Sequence, residues 1–264
     1  MPRLYTMAGG AGPALISDPL RGAWLRRRLA PARVCLYARL GSTNVTAQHL
    51  LEQGALQAPA VVLAARQTAG RGQRSNRWWS DAGSLCVTFL RPAAGALPIG
   101  QIPLRAGLAV AEVAAQYLPG RQVGVKWPND ILVEGRKLAG LLCARLCGTD
   151  LIGIGLNVHT DFAPAPDEVR ARATSLWREA GSAPRRDELA AALWLALAQV
   201  LTAEDWFERY TERHVLHGRR VQLDGEGGGR RGTCRGIDRE GRLLIESADG
   251  EVAALTTGHV LDFA

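Results

Sequence analysis

The chain has 264 residues, 47% of them hydrophobic and 22% charged, a composition that fits one large globular domain or a domain with a small second module and excludes a disordered or fibrous chain. Its 32 basic and 25 acidic residues give a net charge of +7, which favours anionic partners, although no basic block dominates a terminus. No apolar run reaches the roughly 18 residues of a membrane helix, and the start lacks the basic head and apolar core of a secretory signal, so a cytoplasmic protein without membrane contact is expected.

In chain order, AGGAGPA at 8–14 reads as flexible, and DPLRGAWLRRRLA at 18–30 as a short helix with Trp24, Leu25 and Leu29 on one face. TNVTAQHLLEQ, 43–53, has helical spacing and a stop at Gly54, and AVVLAA, 60–65, is a buried strand. The polar stretch 66–83 has glycines and no period, hence a long loop of the kind that binds ligands. A strand at 84–90, a helix at 101–118 and short strands at VGVKW, ILVEG and KLAGLLCARL follow, with a hairpin turn at Glu134 and Gly135. LIGIGLNVH, 151–159, is a strand whose Gly153 and Gly155 allow close approach, FAPAPDEV is a Pro-rich connection, and helices occupy 186–202 and 204–215. Beyond Gly218, four or five strands separated by glycine turns make a small barrel that needs its neighbour for part of its core. The five cysteines, Cys35, Cys86, Cys143, Cys147 and Cys234, read as reduced thiols, with LAGLLCARLCG as interior packing rather than a metal grip.

Only two of the 32 basic side chains are lysines, and both fall in VKWPNDILVEGRKLAG, at Lys126 and Lys137. A compact ammonium differs from a planar guanidinium, so their place points to a need for point charges there. Asn129 and Asp130 sit between them, with Gly140, Gly153 and Gly155 leaving room for a flat ligand. Upstream, Ser42, Thr43 or Asn44 of GSTN can cap the helix that follows or shape the rim of a polar pocket. The loop AGRGQRSNRWW, 69–79, offers Arg71, Arg74 and Arg77 to an anion without any Walker pattern, and of Trp78 and Trp79 one is expected to pack inward. Lysines and arginines around a polyphosphate neutralise its charge and make attack by a carboxylate at the α-phosphorus feasible, which points to nucleotidyl transfer.

GSTN at 41–44, RQTAGRGQRSNRW at 66–78, KWPNDI at 126–131, RKLAGLL at 136–142 and GIGLNV at 153–158, in this order, together resemble the biotin protein ligases. The resemblance is strong over 36–160 and looser through ATSLWREAG and the terminal module. It implies an α+β fold: a short extension at 1–33, a catalytic domain at 34–217 with a mixed β-sheet flanked by helices, related to class II aminoacyl-tRNA synthetases, and an SH3-like β-barrel at 218–264. It also implies an enzyme that uses ATP and Mg²⁺ to form biotinyl-5'-AMP and pyrophosphate, then transfers biotin to a lysine on the biotin carboxyl carrier domain of a biotin-dependent carboxylase. By that resemblance Ser42, Thr43 and Gln67, with Asn44 beside them, meet the ureido head of biotin. The loop residues Gly70, Arg71, Gly72, Gln73, Arg74 and Trp78 close over biotin and adenylate, and Arg71 also contributes to catalysis. Lys137 meets the biotin carboxylate and α-phosphate, Lys126 assists at the phosphates, and Asn129 and Asn157 lie beside the nucleotide. Gly140 and Gly155 keep the pocket open, and Asp130 is the candidate for Mg²⁺ or for taking the proton of the carrier lysine.

This chain departs from the family pattern at Gln73, where a second loop arginine is usual, at Asn76, and at Ala173, where some members cover the adenine with an aromatic ring. About 34 residues precede the first catalytic strand, too few for the DNA-binding unit of bifunctional members, so no specific DNA binding is expected of a monomer or homodimer. A lipoate or octanoate ligase or transferase of the same fold is the nearest rival, but no cysteine lies in the GRG, KWPND or RKLAG segments. An RNA- or protein-binding module is the other, and the terminal barrel, with Phe263 as its single aromatic, lacks the stacking residues such a module needs.

Overall fold

The computed structural model describes residues 5–6, 18–74, 76–93, 95, 97–224 and 229–263; the 8–14 stretch lies outside them. β1 (Tyr5–Thr6) precedes α1 (Gly22–Arg28), β2 (Arg33–Tyr37), α2 (Thr43–Glu52), β3 (Ala60–Ala64) and β4 (Ser84–Pro92). α3 (Ile102–Ala115), β5 (Val123–Lys126), β6 (Asp130–Val133), β7 (Arg136–Leu146) and β8 (Thr149–Asn157) complete the motif-bearing region. α4 (Asp167–Arg172), α5 (Leu176–Ala180), β9 (Ser182–Ala183), α6 (Arg186–Val200) and α7 (Trp206–Arg213) lead to the terminal strands β10 (Arg220–Asp224), β11 (Arg230–Ile237), β12 (Leu243–Glu246), β13 (Val252–Leu255) and β14 (His259–Phe263).

Seven strands form one sheet in the order β2-β3-β4-β8-β7-β6-β5, parallel between β2 and β3 and antiparallel elsewhere. Successive side chains in a strand point to opposite faces, and the core divides accordingly. Val61 and Leu63 of β3, Val87 and Phe89 of β4, and Ile152 and Ile154 of β8 pack with α3 and α6 on one face. Ala60, Val62, Leu90 and Leu151 pack with Ala47 and Leu51 of α2 on the other. Both faces being covered, β3 reads as a continuous apolar run rather than an alternating one. A buried polar tie closes one end of this layer: Arg186, at the start of α6, donates to the carbonyls of Ala65 at 3.0 Å, Ser84 at 3.2 Å and Asp18 at 2.7 Å.

The terminal strands form a five-stranded antiparallel sheet, order β13-β12-β11-β10-β14. Its apolar residues Val221, Leu223, Ile237, Leu243, Ile245 and Val260 belong to the same core cluster as α3 and the large sheet. The junction is also polar: Trp127 Nε1 donates to Gly241 O at 3.1 Å, Gln101 Nε2 to Arg239 O at 2.8 Å and Lys126 Nζ to Val260 O at 2.9 Å. Gly241 has φ +87° and an added Cβ would sit 2.6 Å from Leu104, so this turn accepts no side chain.

Two readings need correction. The Pro-rich connection holds a short helix, α4, because Pro166 stands outside it as N-cap while Asp167 and Glu168 in the first turn suit the positive end of the helix dipole. The LAGLLCARLCG run is interior only in part: Cys143 is half-buried, whereas Cys147, with φ 48°, is exposed in the turn between β7 and β8.

α7 ends against the sheet, where Val215 N donates to Val125 O at 3.1 Å and the His214 ring lies 5.5 Å from that of Tyr210. His214 is buried and neither ring nitrogen has a hydrogen-bond partner. Burial, with the neighbouring His217 charge, depresses its pKa from 6.5 to about 4. The unfolded chain therefore binds this proton more readily, and the stability that neutral His214 contributes is complete above pH 6.5 and lost as pH falls toward 4. In urea unfolding, the native chain should lose about 2 kcal/mol more than His214→Leu between pH 7 and pH 5. Parallel losses in the two proteins would refute this.

Candidate active site

The site lies on the α2 face of the large sheet, where the strand register leaves a patch without side chains. Gly155 of β8 stands between Gly140 and Cys86, and Gly153 between Leu142 and Thr88. Two side chains use this clearance. The Asn44 amide covers Gly153, where an added Cβ would be 2.1 Å from Oδ1, and the Trp78 indole covers Gly155 and Gly140. The room read as space for a flat ligand is thus occupied by protein. Trp78 Nε1 is buried without a hydrogen-bond partner, an uncompensated desolvation cost for holding the indole there.

The first turn of α2 shows why GSTN has this composition. Ser42 occupies the N-cap position in extended geometry, but no GSTN side chain caps the helix. Gln67 does so from outside: its Oε1 accepts the Thr43 N–H at 2.7 Å and the Thr43 hydroxyl at 3.1 Å. The capping alternative is overturned because the acceptor comes from the loop after β3, which leaves the Ser42 hydroxyl and the Gln67 NH₂ for the cavity that both line. Asn44 Nδ2 donates to Leu142 O at 2.8 Å, and Thr88 Oγ1 lies 2.5 Å from Asn44 Oδ1 and 3.0 Å from Thr43 Oγ1. Gly70 is required where it stands, since an added Cβ would be 2.5 Å from Trp78 O and 3.1 Å from Gln67 Nε2.

The opposite wall is the β6–β7 hairpin, closed by Glu134 and Gly135 with positive φ of 48° and 77°. A register shift between Ile131 and Leu132 sets Asp130 across from Gly140, and Lys137 Nζ reaches Asp130 Oδ1 at 2.6 Å, 5.7 Å from the Trp78 ring. Asn129 Nδ2 donates to Leu141 O at 2.6 Å. Ser42, Thr43, Asn44, Gln67, Arg71, Gly72, Gln73, Trp78, Asn129, Asp130, Lys137, Gly140 and Gly155 all line one cavity of about 80 Å³. Asn157 lines a second of about 200 Å³, with Arg77, Trp79, Phe162 and Ala173. Lys137 and Trp78 line both.

Two site candidates from the sequence point elsewhere. Arg74 turns to the barrel, Nη1 lying 3.7 Å from Asp224 Oδ2. Lys126 donates to Val260 O at 2.9 Å and lies 5.3 Å from the Phe263 ring; burial lowers its pKa, against the pull of Asp130. Asp130, the candidate for Mg²⁺, is engaged by Lys137, and no group of three His, Cys, Asp or Glu among the described residues could hold a metal. Both tryptophans pack, Trp78 over the glycines and Trp79 against Phe162 at 6.0 Å, because the loop turns between two cavities. Asn76, Leu141, Leu142 and His259 also line the first cavity. A threonine inside the apolar run SLCVTFL was the available signal for Thr88; His259 gave none, since only the register of the last strand brings it there.

A polar rim, a lysine and a tryptophan shared by two cavities, and a glycine-bearing loop beside them make up the candidate site. Residues 36–161 match the biotin/lipoate A/B protein ligase family, and residues 216–260 the biotin protein ligase C-terminal domain. The biotin–acetyl-CoA-carboxylase ligase of Mycobacterium tuberculosis is 32% identical over 240 residues, covering 85% of this chain and 86% of that protein. The ligase of the same description from Paracoccus denitrificans is 32% identical over 229 residues, 81% of this chain and 95% of that protein. The structure of a biotin protein ligase from Aquifex aeolicus, in complex with biotin and ATP, is similar with a TM-score of 0.76 and 25% identity, covering 88% of this chain and 98% of that one. The chain belongs to the biotin protein ligases.

Because Gln67 supplies the cap, Gln67→Leu should strip Thr43 of its acceptor and cost about 1–2 kcal/mol. Hydrogen exchange at the Thr43 amide should speed up in that variant; unchanged protection would show that the cap lies elsewhere.

Proposed function

We propose that this ligase takes biotin in the first cavity and ATP across the second, forms biotinyl-5'-AMP with release of pyrophosphate, and passes the biotinyl group to a lysine of a biotin carboxyl carrier domain. The observation that carries this reading is Lys137, shared by both cavities and paired with Asp130 at 2.6 Å. A cation shared in this way stabilises the negative charge gathered when a carboxylate approaches the α-phosphorus. The Gln67 NH₂ donates to the ureido oxygen, and the Ser42 and Thr43 hydroxyls complete its hydrogen bonding. Asn157 and the Trp79–Phe162 wall lie along the nucleotide. Mg²⁺ enters as the MgATP complex, carried on the substrate's phosphates.

A cavity of 80 Å³ is well below the roughly 300–1,000 Å³ of a small-molecule site. Binding therefore moves the Trp78 indole off Gly155 and Gly140, and the loop from Gly70 to Trp78 recloses over the ligand. Water excluded in this way cannot hydrolyse the mixed anhydride. Lipoate remains the rival acid, and the ureido-matched donors at Gln67 and Ser42 favour biotin over it.

Pyrophosphate release from ATP should depend on biotin and not on lipoate, with label then passing to a carrier domain. Lys137→Ala should lower adenylation at least 100-fold while circular dichroism stays native; full activity in that variant would remove the lysine from the mechanism. Gln73 lines the first cavity with an uncharged amide. Gln73→Arg should slow dissociation of the adenylate several-fold in a filter-retention assay, and an equal off-rate would count against charge as the retaining force.

A further inference from the structure

The small sheet contributes one ring to the first cavity. His259, the first residue of β14, lines it together with Asn129, Asp130 and Lys137. Its strand is held on two sides. Lys126 Nζ donates to the carbonyl of Val260, the next residue, at 2.9 Å, and Gly258, the residue before, lies against the Trp127 indole, where an added Cβ would be 3.5 Å from the ring. Across the sheet His259 is in register with Asp224, whose carboxylate is paired with Arg74 at 3.7 Å. The KWPND segment thus supplies the polar end of the cavity and also clamps the strand that brings an imidazole to it.

Transfer of an acyl group to a lysine needs a proton acceptor. An alkylammonium has a pKa of about 10.4, so at neutral pH only about one carrier lysine in 2,500 is a free amine. Within the cavity Lys137 is a cation, and the Asp130 carboxylate is engaged by it at 2.6 Å. The sequence offered Asp130 for this task; the geometry favours another group. Resting on the function proposed above, we propose that His259 is the catalytic base of the transfer half-reaction, taking a proton from the carrier lysine's ammonium. The freed amine attacks the acyl carbon, the C–N bond forms, and the bond from that carbon to the phosphate oxygen breaks, its electron pair leaving on AMP. The nitrogen's second proton passes to solvent as the amide forms.

The surroundings keep the imidazole in its accepting state. Burial lowers its pKa first, Lys126 of β5, Arg74 of the loop and Lys137 of β7 lower it further, and Asp130 of β6 opposes them. The net direction is downward, so His259 is neutral at pH 7 and able to accept a proton.

His259→Gln and His259→Ala, in the full chain, test this with three readouts. Single-turnover transfer from preformed adenylate to a carrier domain should fall about 10²–10⁴-fold at pH 7, and at least tenfold further than biotin-dependent pyrophosphate release measured without carrier. Discharge of the same adenylate by hydroxylamine, which is largely unprotonated at neutral pH, should follow pyrophosphate release and not carrier transfer. Raising the pH toward that of the free amine should narrow the deficit, because solvent then does the work of the imidazole. Undiminished transfer, equal losses in all three readouts, or a rise confined to the KM for carrier would each overturn the proposal. Native protein that makes no adenylate from biotin and ATP would overturn the ligase reading and this inference together, whereas normal adenylate with undiminished transfer overturns the inference alone.

Discussion

The contact on which the site depends is the ion pair between Lys137 and Asp130. It is short, 2.6 Å, and partly shielded from solvent, so it is worth more than an exposed surface pair while leaving the ammonium accessible from the cavities. Its geometry comes from the backbone: the tight turn at Glu134 and Gly135 fixes the hairpin, and the register shift in β6 places the carboxylate opposite a glycine rather than a bulky side chain. A Cβ added at 140 would lie 3.2 Å from Lys137 Cε and 3.2 Å from the Trp78 ring, so a larger residue there would crowd both. The indole of Trp78 then rests where that wall meets the bare strip of β8.

Periodicity and turn chemistry made most of the fold legible. The apolar run of β3, the helical spacing of α2 and α3, and the glycine-punctuated strands of the small sheet all follow local rules, and the motif segments lie on one face because strand alternation puts them there. What escaped was set by tertiary geometry. GSTN has the composition of a helix cap, yet Gln67, 24 residues downstream of Thr43, supplies the acceptor. Lys126 shares one motif-bearing stretch with Lys137, but its side chain goes to the Val260 carbonyl. α4 hid behind prolines that help to start it. His259 was invisible because its relevance depends on how two sheets meet.

That meeting is closer than a linked pair of domains. Residues of β10, β11, β12 and β14 pack in the same apolar cluster as the helices of the large sheet, and the Trp127 indole spans the junction with its N–H on the Gly241 carbonyl. Trp127 lies between Lys126 and Pro128 in the chain, so the segment that shapes the polar end of the cavity is also the segment on which the small sheet rests. Displacement of one is therefore felt by the other through side chains in direct contact.

The engagement of both lysines has a consequence for the enzyme's own integrity. On the function proposed above, an acyl-adenylate would acylate whatever amine it met, and this chain carries two side-chain amines in all, one held by a carboxylate and the other by a backbone carbonyl. Arginine, which covers the rest of its basic surface, is a poor acyl acceptor because its guanidinium stays protonated. A catalyst built this way would present such a reagent with almost nothing on itself to attack.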